Sequence, residues 1–175
     1  MKKPLPELNG FTVVNRFPSM STLVFVGVGS NLENRESMIC TAQKVLSAHP
    51  KVRFLRSAPI YETEPVGGPS QGLYLNTVWE VETDLDAFKF MRFLLEIESS
   101  LGRKRAVKNG PRVIDLDLLL FGNQVIDEPF LTVPHPRLQE RWFVLKPLWD
   151  LHSDLVHPVF KKSVCELLDQ VNASH

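Results

Sequence analysis

The sequence predicts an α+β fold, an antiparallel sheet with its two main helices on one face. Three observations carry this: an apolar, β-branched run at Leu23–Gly29, a cleanly alternating stretch from Tyr74 to Glu82, and an amphipathic helical pattern following each. At 175 residues the chain is close to the size of one ordinary domain and long enough to bury a core without disulfides.

Each element has a local reason. Leu23-Val24-Phe25-Val26-Gly27-Val28-Gly29 is apolar without alternation, the pattern of a strand buried on both faces. Ser30-Asn31-Leu32-Glu33-Asn34 supplies turn and cap residues, and Met38, Ile39, Ala42, Val45 and Leu46 then mark the core side of a helix ending at His49-Pro50. Val52 to Tyr61 reads as a second strand, and Pro65-Val66-Gly67-Gly68-Pro69-Ser70-Gln71-Gly72 as a loop. In the third strand Leu75, Thr77, Trp79 and Val81 share one face; Tyr74, Asn76, Val78 and Glu80 share the other. A second helix starts near Asp86, buries Phe90, Phe93, Leu94, Ile97 and Leu101, and stops at Gly102. Ile114 to Phe121 is the fourth strand. The order βαββαβ is the ferredoxin-like pattern. After it come the Pro-rich loop Val133-Pro134-His135-Pro136, one short helix that includes Arg141 and Phe143, and a last helix near Ser163–Val171, all C-terminal helical additions. With both main helices on one face, the opposite face, bearing Tyr74 and Asn76, is left open for a ligand.

Composition narrows the function. Twenty basic residues balance twenty acidic ones, so binding to nucleic acid through bulk charge is not expected, and any phosphate binding must come from a local cluster. Cys40 and Cys165 cannot make a disulfide framework and point to a reducing, cytoplasmic setting. No apolar run approaches a membrane span, and Pro4, Pro6, Glu7 and Asn9 interrupt any secretory signal. Residues 1–19 read as an N-terminal extension or a tag, and residues 20–175 as a single domain beginning at Met20.

The chemistry concentrates in one segment. Asp115 and Asp117 point to the same side of a strand whose Ile114, Leu116, Leu118 and Leu120 are expected on the other side, under the helices. Two neighbouring carboxylates on an apolar strand repel each other and are costly to desolvate unless a cation compensates. Mg²⁺ suits such a pair, because it is usually held by one or two carboxylates plus substrate phosphates. An isolated Asp-x-Asp is more often a solvated strand end or a pair tied up by arginine. Just upstream, however, Arg103, Lys104, Arg105, Lys108 and Arg112 place five cations and no acid in residues 103–112. A helix C-terminus accounts for Arg103 and Lys104. It does not account for Lys108 or Arg112, which flank Gly110-Pro111. A basic loop leading into paired carboxylates suggests polyphosphate with bound metal. Gly27-x-Gly29 is no dinucleotide fingerprint, since Leu32 stands where the third glycine belongs.

The segment Lys108-Asn109-Gly110-Pro111-Arg112-Val113-Ile114-Asp115-Leu116-Asp117-Leu118-Leu119 resembles the hallmark of the 6-hydroxymethyl-7,8-dihydropterin pyrophosphokinases of folate biosynthesis. Gly29-Ser30-Asn31-Leu32, Tyr61-Glu62-Thr63, Tyr74-Leu75-Asn76 and Val133-Pro134-His135-Pro136-Arg137 extend the likeness, with Glu140-Arg141 and Phe143, over residues 22–170. The resemblance implies transfer of the β,γ-pyrophosphoryl group of ATP to the pterin hydroxymethyl oxygen, with release of AMP. It implies two Mg²⁺ held by Asp115 and Asp117, and a pterin pocket of Thr63, Val66, Tyr74, Asn76 and Phe143. It places Glu98, Arg103, Arg112, Leu118, Thr132, His135 and Arg141 around ATP, with Arg103 and Arg112 beside the metal pair as catalytic groups. A monomer is expected, working beside or fused to other folate enzymes. Asn109, Leu95 and Glu64 depart from the tryptophan, glutamine and proline that some members carry. Two rival readings are a Mg²⁺-dependent nucleotide phosphohydrolase and a ferredoxin-like RNA-binding module. The second requires stacking aromatics and a basic surface, where this chain has Asp115 and Asp117.

Overall fold

The computed structural model of the chain describes residues 21–32, 34–103 and 110–173. The expected extension 1–19 and Lys104, Arg105, Lys108 and Asn109 of the basic segment lie outside the described residues. The elements are β1 (Thr22–Ser30), α1 (Arg35–Ser47), β2 (Val52–Ser57), β3 (Tyr61–Thr63), β4 (Tyr74–Thr83), α2 (Ala87–Ser100), β5 (Asp115–Phe121), β6 (Ile126–Glu128), β7 (Leu131–Val133), α3 (Trp142–Leu151) and α4 (Val164–Ala173). A short 3₁₀ turn, Leu138–Glu140, precedes α3.

The sheet runs β2-β4-β1-β5, with β3 also paired to β4, and every neighbour is antiparallel. β1-α1-β2 and β4-α2-β5 are therefore two interleaved βαβ units, each split by a strand of the other, which is the predicted ferredoxin-like core. Both helices start on side-chain caps: Asn34 accepts from the Ser37 N–H and Asp86 from the Lys89 N–H. Gly102 follows α2 at φ +87°, a conformation that favours glycine and turns the chain out of the helix.

One apolar layer lies between the sheet and α1/α2 and is built around Trp79, Phe90, Leu94, Ile97 and Phe121. Val45, expected in that layer, is exposed. A second layer forms where α3 and α4 cover the other face, joining Phe25, Val78, Leu119, Leu145, Leu148 and Leu168. Each large side chain so buried contributes about 1.5–3 kcal/mol. The open face is thus smaller than expected. It is confined to one end of the sheet, where β1 ends and β5 begins.

Three more expectations are corrected. The second strand is two strands, β2 and β3, broken at Ala58-Pro59-Ile60, because Pro59 has no N–H to continue a ladder. Leu120 does not join Ile114, Leu116 and Leu118: the β1–β5 register slips between Phe25 and Val26, pairing Leu120 and Leu118 with these successive residues. The resulting bulge puts Leu119 and Leu120 together under α3 and α4 and returns Phe121 to the other layer. Arg141 is not inside one short helix with Phe143. It sits in extended backbone as the N-cap of α3, at the junction with the 3₁₀ turn.

Candidate active site

The open end of the sheet is floored by three strands in register. Gly29 on β1 lies opposite Asn76 on β4 and opposite Asp115 on β5, and Gly27 lies opposite Asp117. An added Cβ at Gly29 would stand 3.2 Å from Asn76 Oδ1 and 3.8 Å from Asp115 Cβ, and one at Gly27 would stand 3.3 Å from a Leu119 methyl. The two glycines therefore keep the floor low, which is the use of the Gly27-x-Gly29 pattern. Above it lies a cleft of about 180 Å³.

One end of the cleft is amide and aromatic. Asn76 is buried on β4 and donates to Thr63 Oγ1 at 2.8 Å. The Tyr74 hydroxyl lies 3.2 Å from Gln71 Oε1 and 3.3 Å from the Gly110 carbonyl, and burial raises its pKa. Phe143, in the first turn of α3, faces this space with the Arg141 guanidinium 5.7 Å from its ring centroid, and exposed Val66 borders it from the 65–72 loop.

The other end is charged. Asp115 pairs through one oxygen with Arg103 at 2.6 Å and through the other with Arg112. Arg103 also pairs with Glu98, which further accepts the Leu116 N–H at 2.7 Å, and burial nevertheless raises the Glu98 pKa. Asp117 is paired more loosely than Asp115: Arg141 is 3.7 Å away and the His135 ring 3.9 Å. Desolvation, reinforced by the Asp115 charge, pushes the Asp117 carboxyl up to about 7. Burial, with Arg141 nearby, lowers His135 to about 4, so its ring is neutral at pH 7. Its Nδ1 accepts the Arg137 N–H at 3.1 Å, which leaves the ring proton on Nε2, the atom nearest Asp117.

Ten of the expected residues line the cleft together: Thr63, Val66, Tyr74, Asn76, Arg112, Asp115, Asp117, His135, Arg141 and Phe143. Arg103 stands behind them on Asp115. The remaining three side chains are not brought in. Glu98 is buried beneath β5, where its carboxylate holds Arg103 and the Leu116 N–H, because α2 presents it to the strand from below. Leu118 points into the helix-covered layer, as its place between Asp117 and Leu119 requires, and Thr132 is exposed on β7 away from the cleft lining. Gln71, Thr77 and Arg137 line the cleft without having been singled out as site residues. Thr77 carried no legible signal, since it sits on the strand face assigned to the core, and Gln71 lies in a loop whose path depends on contacts 40 residues away in sequence.

Among the described residues no group of three or more acidic, histidine or cysteine side chains forms a ready metal cage. Two carboxylates on one strand face, one of them half-buried and only loosely paired, fit instead an ion that completes its coordination with water and substrate phosphates.

A ferredoxin-like sheet with an amide–aromatic end and a carboxylate–arginine end to its cleft suits a ring joined to a metal-bound polyphosphate. The profile of the 7,8-dihydro-6-hydroxymethylpterin-pyrophosphokinase family (HPPK) matches residues 25–153. Over 151 residues the chain is 41% identical to the 2-amino-4-hydroxy-6-hydroxymethyldihydropteridine pyrophosphokinase of Bacillus subtilis, covering 86% of this chain and 88% of that one. It is 40% identical over 135 residues to the protein of the same name from Pseudomonas aeruginosa, with 77% and 83% covered. The protein therefore belongs to the HPPK family. It also matches the folic acid synthesis protein fol1 of Pneumocystis carinii at 38% identity, spanning 85% of this chain but 20% of that protein. Among solved structures, a Plasmodium falciparum HPPK-DHPS shares the fold with a TM-score of 0.70 at 14% identity, covering 86% of this chain and 45% of that one.

Proposed function

We propose that this cleft is where the protein, an ATP-dependent pyrophosphokinase of folate biosynthesis, transfers the pyrophosphoryl group of ATP to the hydroxymethyl group of 6-hydroxymethyl-7,8-dihydropterin, releasing AMP. The single observation that carries the site assignment is the row Asn76–Gly29–Asp115. A heterocycle-reading amide and the carboxylate pair lie two strand spacings apart, about 10 Å, on one low floor. That is comparable to the length of a bicyclic ring with a one-carbon arm.

In this reading Asn76 and Thr63 take the polar edge of the pterin, Tyr74 and Val66 border it, and Phe143 stacks on its face. Asp115 and Asp117 hold Mg²⁺, two ions in our reading, which when bound neutralise charge on the phosphates and draw both carboxylates into their ionised form. Arg112 and Arg141 meet the phosphate oxygens, where charge grows in a loose transition state, and Arg103 orients Asp115. Neutral His135 donates its Nε2 proton to a phosphate oxygen without placing another cation beside Arg141. Glu98 acts through Arg103, and the Leu118 main chain and Thr132 stand at the nucleotide's periphery. Among the described residues no helix is long and apolar enough to cross a membrane. We place the protein in the cytoplasm as a monomer, beside or joined to other folate enzymes, as its relatives of greater length suggest.

The test is an assay of Mg-ATP with and without 6-hydroxymethyl-7,8-dihydropterin. AMP should form only with pterin, and little ADP should appear. Equal nucleotide turnover without pterin would sink the transferase reading in favour of the phosphohydrolase.

Two further outcomes follow. Gly29→Val fills the floor between Asn76 and Asp115, so the pterin KM should rise at least about tenfold, equivalent to about 1.4 kcal/mol, with the fold retained. An unchanged pterin KM would place the ring elsewhere. Mg²⁺ binding should be pH-dependent, because the metal-free protein holds a proton on Asp117 up to pH about 7 and the ion displaces it. Affinity should therefore climb from pH 5 to 8. Titration calorimetry at pH 6, in two buffers of different ionisation enthalpy, should show a proton released; equal heats would show that Asp117 holds no proton for the ion to displace.

A further inference from the structure

Ser30 and Asn31 have no part in the roles assigned above, yet both are buried polar residues at the end of β1. Their bonds converge on one short piece of chain. The Ser30 hydroxyl donates to the Val113 carbonyl at 2.6 Å, the Asn31 N–H donates to the Arg112 carbonyl at 3.1 Å, and Asn31 Oδ1 accepts the Arg112 N–H at 2.7 Å. Asn31 thus holds Arg112 by both of its main-chain polar groups, and Arg112 in turn holds Asp115. The other half of the same amide reaches the opposite loop: Asn31 Nδ2 donates to Gln71 Oε1 at 2.9 Å and to the Gly72 carbonyl at 3.3 Å. Gln71 Oε1 also lies 3.2 Å from the Tyr74 hydroxyl.

We propose that Asn31 is a positioning residue for the transfer reaction, whose single buried amide ties the pterin-side loop at Gln71-Gly72 to the main chain that aims Arg112 at the phosphate end. It touches no reacting atom in this scheme. The alternative, that Asn31 merely closes a turn, leaves one fact unused: each half of its amide goes to a different wall of the cleft. A turn needs the local bond alone. An amide with two polar ends, of which one only accepts and the other only donates, transmits the placement of one wall to the other. The inference rests on the reading of the cleft given above, since it acts through Arg112.

The experiment is steady-state kinetics on Asn31→Ala, Asn31→Asp, Arg112→Ala and the double variant Asn31→Ala/Arg112→Ala, with melting temperatures alongside. Asn31→Ala should lower kcat about tenfold or more, as expected for losing hydrogen bonds that aim a charged group in the transition state. The ATP KM should change much less. Asn31→Asp keeps the acceptor for the Arg112 N–H but not the donor toward Gln71 and Gly72. It should recover most of kcat while raising the pterin KM. In the Arg112→Ala background, Asn31→Ala should have little further effect, because residues acting through one another are non-additive. If Arg112→Ala loses activity but Asn31→Ala lowers only the melting temperature, or if the two losses multiply, the positioning role is wrong and the site reading stands. If Arg112→Ala itself keeps full kcat, the site reading fails. Should Asn31→Ala not fold, Asn31→Asp decides alone, since a purely structural role predicts no split between kcat and the pterin KM.

Discussion

Asp117→Asn should lower kcat at least about a thousandfold, as loss of a metal ligand that stabilises transition-state charge implies, and should at the same time raise the melting temperature. The stability gain comes from the raised Asp117 pKa, about 7 against an ordinary 3.8, caused by desolvation and then by the Asp115 charge. The sign follows from linkage. The folded state favours the protonated carboxyl, so ionisation destabilises it, negligibly below pH 4 and fully above pH 7. The variant's advantage should therefore grow over that interval. A third of the side chain still meets solvent, so the gain is discounted to one or two times the roughly 2–4 °C expected per kcal/mol for a chain of this size. Asp115→Asn should abolish turnover equally but melt lower than wild type. Simple repulsion would make the two aspartates equivalent; Arg103 and Arg112 grip Asp115 and not Asp117. Calorimetry of both variants at pH 5 and pH 8 checks this, and a stabilised Asp115→Asn would contradict it.

Arg103→Ala should be the most destabilising single change at the site, by about 3 kcal/mol, the scale for removing one partner of a buried ion pair. Glu98 is almost wholly buried and its pKa is already raised by desolvation, with Arg103 the cation that opposes this. Without Arg103 the Glu98 carboxyl must take up a proton to stay buried, and that becomes harder as pH rises. The loss should be smaller at pH 5 than at pH 8, where it amounts to about 6–12 °C in Tm. Turnover should fall as well, since Asp115 loses the partner on one of its oxygens. A pH-independent loss, or none, would show that Glu98 draws its compensation from the Leu116 N–H.

Much of this was legible in order of residues. The two helices followed from apolar spacing and from Asn34, Asp86 and Gly102, which act on their own neighbours. The carboxylate pair followed from strand parity over three residues. Parity failed within the same strand three positions later, at Leu120, because the bulge at Leu119 depends on how β1 and β5 fit across the sheet and leaves no mark in composition. Glu98 illustrates a different limit: the spacing along α2 shows its side chain turned to the core but not that its carboxylate meets Arg103 and the Leu116 N–H beneath β5.

The sequence by itself determined the βαββαβ order, the strand side that carries Asp115 and Asp117, and the likeness that pointed to pyrophosphoryl transfer. These are local properties, set by side-chain period and by contiguous residues. Only the tertiary structure decided that α3 and α4 close most of the second sheet face and leave a cleft at one end. It alone set Gly29 between Asn76 and Asp115, separated the two aspartates by giving both arginines to Asp115, and joined Asn31 to Arg112 across 81 positions. Those outcomes depend on strand register and on which distant groups compete for one buried charge, and neither is encoded in any single stretch of the chain.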